Sequence, residues 1–192
     1  MYGWADTLQF KVKGNTALAT FQSADPQDPC IENFVTVVAS DLMEKTLPGS
    51  GGKITTVRTV LIVGQRDICL SLTLLTCEGE TSDQAFRLAD DLSSAALSTT
   101  VPVLDLVSHD FVNFEVNLTW TAQGQPVFEQ TKETFQDKDL GILIVSQTRG
   151  THVEAEATGT VVGLGQNFTP EPSESAALEK VNDGTIVIQK TK

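Results

Sequence analysis

With 192 residues, 40% of them hydrophobic, the chain can bury one sizeable core, and a single all-β domain over 1–192 is the expectation. Its net charge of −12, from 25 acidic against 13 basic residues, sets the surface against nucleic-acid phosphates and anionic membranes, so neither partner is expected. No apolar stretch approaches the ~20 residues of a membrane-spanning helix, and residues 1–6 have neither the basic nor the apolar part of a signal peptide. On that reading the chain is cytoplasmic if complete as written, and extracytoplasmic or secreted if a leader was trimmed.

Leu8, Phe10 and Val12 alternate with Gln9, Lys11 and Lys13, the period of a strand, and Gly14-Asn15 predicts a tight hairpin turn into a return strand over 16–23. Two prolines make 25–29 a loop. A Val-rich strand over 33–39, a flexible Gly-rich loop over 48–52 and a strand over 54–63 follow. Residues 64–67 are expected to turn the chain into 68–76, with Leu70, Leu72 and Leu74 on one face. Over 82–98 the pattern divides. Ser82 can cap a helix burying Phe86, Ala89, Leu92 and Ala96, but Ser93, Ser94 and Ser98 disfavour helix, so a strand from about Ala95 after a loop or helical turn is expected. Pro102 marks it as an edge strand.

The clearest signal is 112–120, where Val112, Phe114, Val116, Leu118 and Trp120 alternate with polar residues and so share one buried face. This strand, turned by 122–126, is expected to pair with 127–135. Residues 141–147 and 151–162 read as a second hairpin about Arg149-Gly150, with Val153, Ala155, Ala157 and Val161 inward. Residues 170–183 read as an extended linker to a final strand over 184–190. The whole is an antiparallel β-sandwich, with a barrel as the alternative. A faint self-similarity of Asn33-Phe34-Val35 with Asn113-Phe114-Glu115, each opening a strand, suggests two similar halves.

Side chains that carry chemistry are scattered. His152, Glu154 and Glu156 alternate with Val153 and Ala155, so they line one strand face at ~6.6 Å intervals and are candidate ligands for a divalent cation, against the reading of an ordinary solvated face. Asp137 and Asp139 supply an Asp-x-Asp-x-Gly fragment with Gly141, and Asp25 with Asp28 and Glu78 with Glu80 and Asp83 make further acidic loops. Calcium is the candidate ion, against the reading of solvated turns with Asx bonding, and no cofactor is otherwise expected. Ser108-His109-Asp110 holds three triad residue types, but neighbours in a strand face opposite sides, whereas a working triad draws on separate segments. Gly163-Leu164-Gly165 lacks the third glycine and helix start of a phosphate loop. Aromatic content is only 6%, with Trp120 in the core face and Tyr2 and Trp4 at the terminus, a poor carbohydrate platform.

Three cysteines are present. Cys69 and Cys77 are eight residues apart in one strand-like run, ~26 Å if extended, so any bridge joins Cys30 to one of them; the alternative is three buried free thiols. No C-x-x-C pair occurs and the two histidines are distant in sequence, which disfavours zinc.

The stretches 97–105 (LSTTVPVLD), 114–124 (FEVNLTWTAQG), 156–161 (EATGTV) and 167–173 (NFTPEPS) together resemble a family of uncharacterised bacterial β-rich proteins, often predicted to be secreted. The resemblance runs from about Cys30 to the C-terminus, and its motifs are strand and turn patterns. It implies a β fold, no transferable activity, and a Cys30–Cys69 disulfide, with Cys77 additional. Together these readings point to a non-catalytic extracytoplasmic structural or binding module. Two alternatives stand beside it: a virion, fibre or surface subunit that self-associates through strand edges, and a metal-dependent hydrolase using His152, Glu154 or Glu156.

Overall fold

The computed structural model describes residues 7–47, 53–105, 108–137 and 140–190. Tyr2, Trp4, the 48–52 loop and Asp139 lie outside them. Every regular element among the described residues is a strand: β1 Thr7–Ala24, β2 Ile31–Leu47, β3 Lys53–Asp67, β4 Leu72–Thr81, β5 Gln84–Leu88, β6 Ser94–Leu104, β7 Phe111–Ala122, β8 Val127–Asp137, β9 Ile142–Gly163, β10 Gln166–Asn167 and β11 Ser175–Lys190. The fold is all-β and antiparallel, in the order β10–β9–β11–β1–β2–β3–β4–β6–β5, with β7 joining β6 to β9 so that the pairing path closes on itself.

The core lies where β5, β6 and β7 cover the long sheet. Ala17, Ala19 and Phe21 of β1, Val35, Val37 and Ala39 of β2, and Phe114, Val116, Leu118 and Trp120 of β7 are buried there, each at the alternate positions a strand sends to one side. Polar groups tie the layers together: the Thr59 hydroxyl donates to Gln84 Oε1, and Gln84 Nε2 donates to the Ser40 carbonyl at 3.0 Å. Between β4 and β6 the path closes through one residue pair, Gly79 with Val103. A Cβ on Gly79 would lie 2.2 Å from the Pro102 carbonyl oxygen, so glycine is what lets the two backbones meet. Gly79→Ala is expected to destabilise the fold by ~1–3 kcal/mol, as overpacking does. Urea unfolding measures this, and an unchanged midpoint would contradict the tight contact.

The strands are longer than the sequence pattern predicts, and three expected turns are absent. Gly14-Asn15 is inside β1, opposite a bulge of β11 between Val181 and Asp183; Asn15 donates to the Asp41 carboxylate through its backbone N–H (2.8 Å) and Nδ2 (3.1 Å), which holds the strand straight onto β2. Residues 64–67 continue β3, because Gly64 gives room to the Phe34 ring, 2.6 Å from where its Cβ would be; the turn comes instead at 68–71, and Leu70, Leu72 and Leu74 are exposed. Arg149-Gly150 lies within the unbroken β9. β7 and β8 do not form a hairpin: both pair with β9, end to end along one of its edges, β7 with 155–162 and β8 with 142–152. β11 starts at Ser175, so 175–183 is strand, hydrogen-bonded between β1 and β9, rather than linker; only 170–174 remains extended loop, fastened by Ser173 to Ala157 and by the Glu174 N–H to Thr20. Residues 82–98 hold β5, a turn at 89–93 and the start of β6. Of the two self-similar segments, Phe114 is buried on β7, whereas on β2 the buried residue is Val35.

Candidate functional site

Beyond the core the sheet runs on with no second layer among the described residues. The cover formed by β5, β6 and β7 stops at the 89–93 turn and at Ala122, while β8–β9–β11–β1–β2–β3 continues as six strands through 7–16, 41–47, 53–58, 127–137, 142–152 and 179–190. Among the residues of these segments whose burial is described, only Gly184 is buried. Among the described residues both lateral edges are open. β8 pairs with β9 alone, and 53–58 of β3 pairs with β2 alone, since β4 meets β3 only from Thr59 onward. Along β8, Val127, Phe128 and Phe135 are 53%, 61% and 60% exposed. An eleven-residue open edge with apolar side chains is the arrangement that soluble monomers generally avoid. On the side away from the core, Ile188, Ile144 and Phe135 make one cross-strand row, with the Phe10–Ile186 pair beside it.

The stripe of His152, Glu154 and Glu156 lies on this outer side of β9, with Val153 and Ala157 buried opposite. His152 is placed by register between Val127 of β8 and Glu179 of β11, and its Nδ1 is 3.7 Å from Glu129 Oε2. Glu154 and Glu156 are exposed beside Ala177 and Thr121, so the carboxylates brought to His152 are Glu129 and Glu179 rather than its strand neighbours. Asp137 is at the other end of β8, opposite Ile142, and accepts the Leu140 N–H at 2.9 Å; ten residues of strand, ~33 Å, separate it from His152. The sequence missed Glu129 and Glu179 because their approach depends on register alone.

Other clusters serve the backbone. Cys30 and Cys69 are bonded (Cα–Cα 5.3 Å), tying the start of β2 to the β3–β4 turn; Cys77 is free. Among the described residues, the single group of three metal-ligating side chains is Cys30, Cys69 and Asp67. Its sulfurs are joined to each other, and Asp67 accepts the N–H groups of Cys69 and Leu70. Beside it Arg66 grips Glu32 with two hydrogen bonds, 2.9 and 3.2 Å, which raise the guanidinium pKa above its ordinary value. Ser108, His109 and Asp110 form a turn, with Ser108 Oγ donating to Asp105. Hydrogen bonds from Ser93 hold the Asp91 carboxyl below its ordinary value and fix the 89–93 turn. At the opposite end of the molecule a recess of about 230 Å³, walled by Val63, Cys77, Val103 and Phe114, opens beside the β4–β6 junction.

The chain matches no family model, no curated protein and no solved structure.

The largest feature outside the core is a surface, the uncovered six-stranded sheet. No helix among the described residues is long and apolar enough to cross a membrane. The recess is smaller than the ~300–1,000 Å³ of a typical small-molecule pocket, which ranks it below the sheet as a functional site. The sequence carried a trace of the sheet in Phe10, Val12, Ile142 to Val145 and Ile186 to Ile188, apolar residues too numerous for strands with one wet face.

Proposed function

We propose that this chain is a non-catalytic structural module that associates with further copies of itself through the uncovered sheet. The observation that carries the reading is β8: a full-length strand, unpaired on one edge among the described residues, with Val127, Phe128 and Phe135 more than half exposed. Such an edge is a template for another strand, whose backbone would complete its hydrogen bonds. The open edge of 53–58 offers the other end of the same sheet to a neighbour. An extracytoplasmic setting goes with this reading. It is supported by the Cys30–Cys69 disulfide, a bond that persists in oxidising compartments, and by the resemblance to uncharacterised bacterial β-rich proteins often predicted to be secreted.

Lysines on an edge strand oppose pairing. Phe128→Lys combined with Phe135→Lys is therefore expected to convert an oligomeric wild type to monomer, as measured by light scattering on a size-exclusion column. Both positions are exposed, so the fold should survive, with an unaltered far-UV circular dichroism spectrum. Equal masses for variant and wild type would rule out β8 as the contact.

A further inference from the structure

The uncovered sheet is charged oppositely on its two faces. Register places Lys11 and Lys132 in a single row across the sheet, in line with Thr185 and Gln147, on the face that continues the core-facing side. Lys13, Arg149 and Lys180 share that face, against two acidic residues, Asp41 and Asp183. Five of the chain's 13 basic residues are thus gathered on one face; the other residues of the chain comprise 23 acidic and eight basic, a net charge of −15. Among the described side chains of this basic face, only Lys180 is in an ion pair, with Asp90 at 3.0 Å. The other face of the same strands presents Glu44, Glu129, Glu133, Asp137 and Glu179, with Arg58 and Lys190, around the apolar row of Ile188, Ile144 and Phe135.

We propose that the lysine face of one copy docks on the acidic outer face of the same sheet in a second copy, which thereby supplies the missing second layer. Sheets pack face to face ~10 Å apart, close enough to pair the two charge sets and to cover apolar side chains on both, Val145 and Val187 on the basic face and Ile144 and Ile186 on the acidic one. A second copy is favoured over an unrelated polyanion because the complementary charge is carried on the back of the very same strands. The contact is heterologous, face to back, so it propagates unless rotation closes a ring. This inference rests on the self-association reading and specifies the surfaces.

The test is sedimentation velocity of the full chain at ~0.01 M and ~1 M salt, where the screening length falls from ~30 Å to ~3 Å. Association is expected to weaken by about tenfold or more at high salt, and by a similar factor in Lys11→Glu with Lys132→Glu or in Glu129→Lys with Glu133→Lys. An equimolar mixture of the two double variants is expected to associate again, because each retains a face complementary to the other. All four positions are exposed, so thermal melts should match wild type. Oligomers indifferent to salt and to both variants would overturn face docking while leaving self-association standing. A wild type that is monomeric throughout would overturn both. A monomer that binds a labelled oligonucleotide, and loses it with Lys11→Glu and Lys132→Glu, would assign the face to a polyanion instead.

Discussion

Trp120→Ala is expected to destabilise the protein by ~3–5 kcal/mol, the range for truncating a large buried aromatic. Trp120 is fully buried on β7, directly opposite Ala95 of β6 and Ala157 of β9, where small partners make room for the indole. Its Nε1–H donates to the Leu18 carbonyl on β1 at 2.8 Å, a contact that links the covering layer to the long sheet. Alanine would leave a cavity and remove this hydrogen bond; Trp120→Phe would remove chiefly the hydrogen bond, at about 1–3 kcal/mol. Equilibrium urea unfolding followed by circular dichroism measures both. A loss below ~1 kcal/mol for the alanine variant would mean that the side chain is not core.

Removing the disulfide is the second large effect. Cys30 and Cys69 are 39 residues apart, and constraining a loop of that length in the unfolded chain stabilises the native state by about 4 kcal/mol in the chain-entropy description. Locally the native contacts are redundant: the Ile68 N–H donates to the Cys30 carbonyl at 2.8 Å, and Arg66 holds Glu32. Cys30→Ser with Cys69→Ser should therefore keep the native spectrum while losing ~2–5 kcal/mol of stability, and wild type in excess reductant should shift likewise. Unaltered unfolding midpoints in both experiments would contradict a disulfide in the native protein.

What the sequence disclosed was the facing of strands rather than their pairing. Phe114 to Trp120 alternate because β7 has one dry and one wet face, and Val153, Ala157 and Val161 on β9 do the same. A period of two reports which side of a strand is buried and is silent on its neighbour. Hence β7 and β8 read as a hairpin although they share β9, and β11 read as a short tail although it runs between β1 and β9. Gly14-Asn15, 64–67 and Arg149-Gly150 misled for a different reason. Glycine permits tight turns, but it equally permits close approach, and here Gly14 faces the Asp41 carbonyl, Gly64 the Phe34 ring and Gly150 the Lys180 carbonyl. The lysine face was invisible for the same reason as the pairing. Lys11, Lys13, Lys132, Arg149 and Lys180 come from four separate strands, and averaged composition conceals them beneath a net charge of −12.

The most direct test of the uncovered sheet as the working surface is hydrogen–deuterium exchange of the intact chain over a concentration series. Dilute protein should exchange β8 amides quickly, since one edge of this strand is open, while amides of 114–120 stay protected at every concentration. As concentration rises, 127–137 is expected to gain at least about tenfold in protection as neighbours cover it. Exchange in β8 that does not vary with concentration, in a protein shown by light scattering to be oligomeric, would contradict the account and place the contact elsewhere.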